Sequence, residues 1–393
     1  MGALPAAAPP HLSTRKICCF SGKRGGFGAY LPLMRLIEAD DELDLLVLLG
    51  DQHASEAFGA TADEVRRALP DSRLEVIEMG AGRGDTGLVR AENLATCLAE
   101  AARVLERERP DVVLVHGDRG EQLIVALAAL QLGVVVAHTQ GGDRSGNVDE
   151  LQRHAITKLA HLHFPESEQA AERLRRLGED EWRIHVVGST YVDRIVQRLF
   201  VATDEARARV GLGGDEPYLL ALVHPDTFLS REENRSLAEV ALDAALATGL
   251  RVVATFPASD PGYDGVLEAL RARADRVILR PNIDNDVYLG LMAGAEALVG
   301  NSSAALVEAP YLNLPAVNVG DRQRGRERDA NVVDAEATPE AVAAALERVR
   351  APGFRASLRP SRRLGDGHAS ERIVDVLKRV PLDDALRRKQ LAY

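Results

Sequence analysis

Two short stretches concentrate the side chains best suited to moving protons. Asp118 and Arg119 follow His116-Gly117, and Gln140-Gly141-Gly142-Asp143 follows later, with Asp149 close behind. A carboxylate can accept a proton at a reacting centre, and a neighbouring guanidinium favours its ionised form. Arg153-His154-Ala155-Ile156-Thr157-Lys158 comes next, with His154 and Lys158 one helical turn apart. In the second half, His224 directly follows the apolar run Leu219–Val223. An imidazole at that position can protonate or hydrogen-bond a departing anion. Gly300-Asn301-Ser302-Ser303 supplies small hydroxyls and free N–H groups where a phosphate can be cradled at a helix start. Glu308 lies on the apolar helix after it, where a carboxylate is costly without a partner. Arg322, in Gly320-Asp321-Arg322-Gln323-Arg324-Gly325-Arg326, is a candidate phosphate contact.

Each feature also has a plainer reading. An isolated Asp-Arg is a structural ion pair, a lone histidine is structural, and the loop around Arg322 is a solvated basic segment. The glycine-rich run Ser21-Gly22-Lys23-Arg24-Gly25-Gly26-Phe27-Gly28 is neither a nucleotide-triphosphate loop nor a dinucleotide fingerprint, and a tight turn accounts for it. His161 and His163 read as core or surface residues, because no compact His/acid set has metal-ligand spacing. What favours chemistry is the joint placement of these features.

That placement follows from the elements. β-Branched runs at Ile17–Phe20, Leu43–Leu49, Leu74–Ile77, Val112–Val115, Val134–Ala137, His163–Phe164 and Ile184–Val187 alternate with amphipathic segments at Tyr30–Ala39, Ala60–Ala68, Leu88–Glu108, Glu121–Leu132 and Glu168–Leu177. This alternation predicts βαβ units and a parallel sheet. The series restarts with strands at Tyr218–Val223, Val252–Phe256, Arg276–Leu279, Ala297–Val299 and Ala316–Val319. Helices are expected at Glu232–Ala247, Gly265–Ala274, Asn285–Ala293 and Pro339–Arg348. The fold class is α/β, with two doubly wound Rossmann-like domains and an interdomain cleft, a GT-B-like arrangement. Ligands bind outside the carboxyl ends of such strands, and Asp118-Arg119, Gln140–Asp143, His224, Gly300–Ser303 and Arg322 fall there. The expected division is a disordered tail over residues 1–13, an N-terminal domain over 14–195, a C-terminal domain over 196–368 and a final helix over 369–393, with the interdomain boundary near Val192–Asp215.

Composition narrows the classes. A length of 393 residues suits two domains, and 46% hydrophobic residues support real cores. Few aromatics (4%) and a net charge of −11 argue against nucleic acid as partner. Met1–Ser13 has no basic region or apolar core, so it reads as a tail and not a signal peptide. No run approaches a membrane span. Cys18, Cys19 and Cys97 read as small buried hydrophobes and not as a disulfide or metal framework. The cytoplasm is the expected location.

The Gly-Asp-Arg, Gln-Gly-Gly and Arg-His-Ala-Ile-Thr-Lys motifs, with His224-Pro225, Gly300-Asn301-Ser302-Ser303, Glu308 and Arg322-Gln323 in the same order, resemble the hydrolysing UDP-N-acetylglucosamine 2-epimerases. The resemblance covers roughly residues 16–393. It implies a UDP-sugar ligand, no cofactor and no metal, and a homodimer or homotetramer. It also implies a last helix, over Ala369–Leu391, that crosses back to the first domain. It assigns acid–base work to Asp118, Asp149 and position 140, places His224 beside the leaving group, and gives Ser302, Ser303, Glu308 and Arg322 to the nucleotide, with Glu308 on the ribose diol. Arg24, Arg119, His154, Asp260 and Asn301 are further binding candidates.

The departures fall on the chemistry. Gln140 stands where the family has glutamate, and an amide cannot exchange a proton near neutral pH. Gly26, Ala29 and Ala258 replace an aspartate, a lysine and an asparagine of the family. Three readings stay open: the acid–base role sits on Asp118, Asp143 or Asp149; the chain cleaves or transfers the sugar without epimerisation; or it binds a sugar nucleotide without turnover.

Overall fold

In the first half, β1 (Arg15–Ser21), β2 (Leu43–Leu49), β3 (Arg73–Val76), β4 (Val112–His116), β5 (Val135–Thr139) and β6 (Leu162–Phe164) form one six-stranded sheet in the order β3-β2-β1-β4-β5-β6. In the second half, β7 (Tyr218–Leu222), β8 (Arg251–Thr255), β9 (Ile278–Arg280), β10 (Ala297–Gly300), β11 (Ala316–Val319) and β12 (Val332–Ala335) form another, ordered β12-β11-β10-β7-β8-β9. All pairings between these strands are parallel. This computed structural model describes residues 14–22, 24–50, 53, 62–79, 86–145, 148–257 and 260–392, with the backbone alone at 24–26 and 148. The expected tail Met1–Ser13, the Arg24 side chain, the side-chain position at Gly26, and Ala258 lie outside the described residues.

Both sheets are doubly wound, as the alternating pattern predicts. Strand order reverses between β1 and β4 in the first sheet and between β7 and β10 in the second. Such switch points open a crevice at the carboxyl edge. Alternation along β1 divides its side chains between two apolar layers. Ile17 and Cys19 pack with Leu33, Met34 and Ile37, whereas Cys18 and Phe20 pack with Cys97, Ala101 and Val125. The three cysteines are buried and form no disulfide.

Several boundaries differ from expectation for identifiable reasons. Ile184–Val187 is not a strand; it makes a single bridge, His163 to Ile184, after a 3-10 turn at Glu181–Arg183. The buried Arg183 guanidinium turns the chain there by donating to the carbonyls of His161, Leu386 and Ala385. The first helix begins at Arg24, ahead of Tyr30, despite its glycines. The last helix stops at Arg379, just before Pro381, and resumes only as a turn at Asp384–Arg387. β12, with Asp334 interrupting its short apolar run, is not among the strands expected from the sequence. The helix expected after Ser303 is one turn, Ala304–Val307, followed by a 3-10 segment at Ala309–Leu312.

Ala369, Ile373, Leu377 and Leu386 join the same apolar cluster as Ile17, Leu33 and Leu45. The end of the chain therefore completes the core of the first sheet. Among the described residues, no helix is long and apolar enough to cross a membrane, and no group of three or more His, Cys, Asp or Glu is arranged to hold a metal ion.

Candidate active site

Three successive strand ends build the first wall of the cleft. After β4, Gly117 turns the chain so that Asp118 meets Arg153 from the helix Val148–Leu159, and the two side chains form an ion pair. Arg153 is almost fully buried and also donates to the Gln140 carbonyl at 2.8 Å. Burial opposes its charge, yet Asp118, Asp143, Glu166 and Asp149 together hold its pKa above the ordinary value. His138 on β5 braces the same turn, with Nε2 2.7 Å from the Gly117 carbonyl. Burial pushes its pKa down to about 3, so the ring is neutral and Nε2–H is the donor.

Gln140 follows β5 with φ of 64°, a left-handed conformation uncommon for a side-chain-bearing residue. Its N–H donates to the Phe164 carbonyl and its own carbonyl accepts from Arg153, which together fix that conformation. Its amide nitrogen donates to Glu166 Oε1 at 2.9 Å. Glu166 directly follows β6 and Pro165, is buried, and also accepts from the Ser189 hydroxyl at 2.6 Å. Burial, reinforced by Asp143, pushes its pKa up to about 8. Gly142 has φ of 81°, and a Cβ there would sit 2.2 Å from the Ala170 carbonyl oxygen. The absence of a side chain at Gly142 thus admits the protein's own backbone.

The second wall comes from the other sheet. Gly300 ends β10 with φ of 136°, and a Cβ would meet the Leu222 carbonyl oxygen at 2.0 Å, so only glycine lets β10 and β7 end side by side. Asn301 then clamps His224, accepting its N–H at 2.7 Å and donating to its carbonyl at 2.8 Å. The Asn301 carbonyl accepts from Arg322 and Gln323. Asn301 therefore positions His224 and Arg322, and its side-chain amide is occupied by the protein. Glu308 is buried with its pKa pushed up to about 7 by that burial.

The two walls meet. Arg119 donates to Asp260 at 2.6 Å across the cleft and to Glu121 at 2.8 Å on its own side. A polar pocket of about 150 Å³ lies between the walls, lined by Asp118, Gln140, Asp143, Asp149, Arg153 and Glu166 from the first domain. Ser303, Glu308, Arg322 and Arg326 line it from the second. The Arg326 Nε is enclosed without a hydrogen-bond partner among the described residues. A larger cavity of about 760 Å³ adjoins it, lined by His224, Phe256, Asn282, Tyr288, Ser302 and Ser303. Tyr191, Ser303, Glu308 and Arg322 line both spaces. The larger volume is of the size that takes a cofactor-like molecule.

Comparison with known proteins gives this site its context. A family model described as UDP-N-acetylglucosamine 2-epimerase matches residues 35–378. The chain belongs to that epimerase family. A Legionella pneumophila protein named UDP-N,N'-diacetylbacillosamine 2-epimerase (hydrolyzing) is 33% identical over 96% of this chain and 100% of its own length. A Neisseria meningitidis UDP-N-acetylglucosamine 2-epimerase is 31% identical over 81% of this chain and 83% of its own. The crystal structure of a Neisseria meningitidis UDP-GlcNAc 2-epimerase bound to UDP-GlcNAc shares the fold, with a TM-score of 0.77 at 19% identity, covering 92% of this chain and 99% of that one.

Within this epimerase-family fold, the candidate residues divide. Asp118, Gln140, Asp143 and Asp149 share one pocket with Arg119, Asp260, Ser303, Glu308 and Arg322. His224 and Ser302 line the adjoining cavity. His154 lies in neither; it faces Glu150 at 3.6 Å on its own helix. Ala29 is buried in the first helix and lines neither space. The guanidinium on Asp118 belongs to Arg153 and not to its sequence neighbour Arg119. Sequence reasoning gave no role to Glu166, Tyr191 or Arg326. For Glu166 a signal existed: it stands at the carboxyl end of a strand, the same position that singled out Asp118 and Gln140.

Proposed function

We propose that this protein is a hydrolysing 2-epimerase of UDP-N-acetylglucosamine or a close N-acetylated analogue. The observation that carries the reading is the pair of adjoining spaces that share Tyr191, Ser303, Glu308 and Arg322. The nucleotide fills the larger cavity, with Glu308 on the ribose and Ser302, Ser303, Arg322 and Arg326 around the diphosphate. The sugar enters the acid-rich pocket of the first domain. The names of the Legionella and Neisseria relatives support an amino-sugar nucleotide.

In the reaction a carboxylate of the Asp118–Asp149 group takes the C2 proton. The C2–H electron pair becomes the C1=C2 double bond, and the C1–O bond breaks with its electrons leaving on UDP beside His224. Water then adds oxygen to C1 and loses a proton, while C2 gains a proton from its other face. One sugar nucleotide and one water give one C2-epimerised free sugar and UDP. Elimination and hydration need no redox cofactor. The reading carries with it a cytoplasmic homo-oligomer.

A second reading rests on Gln140, whose amide cannot take part in proton exchange: hydrolysis with C2 retained. NMR in deuterated water with UDP-N-acetylglucosamine, and then with its diacetylated 6-deoxy analogue, separates the two. UDP plus a C2-deuterated, C2-inverted sugar supports epimerisation. UDP plus an undeuterated sugar of unchanged configuration supports the second reading. Absence of UDP with both compounds overturns both.

A further inference from the structure

We propose that Glu166, and not Gln140, is the carboxyl group that exchanges the proton at C2 on its side of the sugar pocket. The inference rests on the epimerase reading and names the residue that reading lacks. Epimerisation needs a proton-exchanging group on each face of C2. Position 140 carries an amide, yet that amide is not idle: its Nε2–H donates to Glu166 Oε1 at 2.9 Å. The carboxyl missing at 140 is thus present one side chain away, delivered from the end of β6 instead of β5.

Glu166 is suited to the task by its surroundings. It is buried yet lines the polar pocket with Asp118, Asp143 and Asp149. Ser189 and Gln140 fix Oε1 from two directions, which orients the carboxyl. The charged and titratable groups that face it are Asp143 from the loop after β5, Arg153 from the helix Val148–Leu159, and Tyr191 from the helix Thr190–Val196. Burial and Asp143 raise its pKa to about 8, so the free enzyme holds a neutral carboxylic acid at neutral pH. A purely structural carboxylate would gain nothing from burial beside another acid, since both destabilise its ionised form.

The step balances. After an aspartate has taken the C2 proton and UDP has left, the C1=C2 electron pair takes the Glu166 proton to form the new C2–H bond. Water bonds to C1 through oxygen and passes a proton to the Glu166 carboxylate, which ends as it began. The proton on the aspartate returns to solvent.

The test compares wild type, Glu166→Gln, Glu166→Asp and the swapped pair Gln140→Glu/Glu166→Gln. UDP, free sugar and glycal are followed with UDP-N-acetylglucosamine and its diacetylated analogue, and thermal unfolding verifies folding. Glu166→Gln is expected to release UDP and glycal while free-sugar formation falls roughly 10²–10⁴-fold, with the alkaline limb of the kcat profile lost. Glu166→Asp retains that limb. The swapped pair keeps the carboxyl–amide hydrogen bond with the partners reversed and recovers free-sugar formation by about tenfold or more over Glu166→Gln. Glu166→Gln within about threefold of wild type overturns the inference alone. So does an equal loss of UDP and sugar that the swapped pair does not repair. Wild type that releases no UDP from either compound overturns the functional reading, and this inference with it.

Discussion

Arg119 and Asp260 join the two domains by a direct ion pair of 2.6 Å, drawn from the loop after β4 and the loop after β8. Asp260 also lies 4.0 Å from Arg322, which lines both the polar pocket and the larger cavity. The contact between the two walls is therefore tied electrostatically to the residue proposed to hold the diphosphate.

Removing either partner should loosen the contact between the domains. Arg119→Ala and Asp260→Ala are expected to raise KM more than they lower kcat, and to increase the radius of gyration in solution scattering. A double-mutant cycle on KM should give a coupling of about 1–3 kcal/mol. A coupling near zero would mean that the pair forms only incidentally.

The Asn301 clamp predicts a stability and an activity effect together. Asn301→Ala removes two hydrogen bonds to the His224 backbone. The expected loss is about 1–3 kcal/mol in denaturant unfolding, with kcat falling while nucleotide affinity changes little. Gly300→Ala should be worse, because a Cβ there meets the Leu222 carbonyl at 2.0 Å.

Glu308 should couple nucleotide binding to proton release. With its pKa raised to about 7 by burial, it is largely protonated at pH 6. Ribose hydroxyls that donate to the ionised form would lower that value on binding. Calorimetry with UDP in buffers of different ionisation enthalpy should find proton release near pH 6, absent in Glu308→Gln. An identical proton count in both proteins would remove the ribose from Glu308.

The same two raised carboxyls set a stability trend in the unliganded protein. Glu166 and Glu308 keep their protons in the folded state up to about 8 and about 7, whereas in the unfolded chain they ionise near 4.5. The folded state is thus the better proton binder, and stability falls as pH rises from the unfolded value through the folded one. Glu166→Gln should remove a penalty on the order of 3–5 kcal/mol at pH 8 and change little at pH 4. His138 and His161 act oppositely: depressed by burial to about 3 and about 4, they withdraw stability as pH falls below 6.5. Unfolding midpoints measured across this range test both arms.

The sheets were legible because apolar β-branched runs bounded by turns have few alternatives, and the carboxyl-edge rule then picks out Asp118, Gln140, His224 and Ser302 from sequence. Side-chain partnership was not legible. Asp118 and Arg119 are adjacent in sequence, but Arg119 is the extended residue before the helix Gly120–Gln131 and reaches across the cleft. Arg153, from another element, takes its place on Asp118. Glu166 escaped notice because its environment depends on Ser189 and Asp143, which only folding brings near.

The terminal segment bears on the order in which the molecule can be made. Residues Ala369 to Leu386 fill the apolar layer beneath β1 and β2, so the first sheet to leave the ribosome lacks part of its core until the second has been synthesised. The second domain is in effect an insert within the first, crossed by two chain connections instead of one. Vectorial synthesis would let the insert fold first as a finished unit, leaving the acid-bearing wall to close last, around a partner already in place.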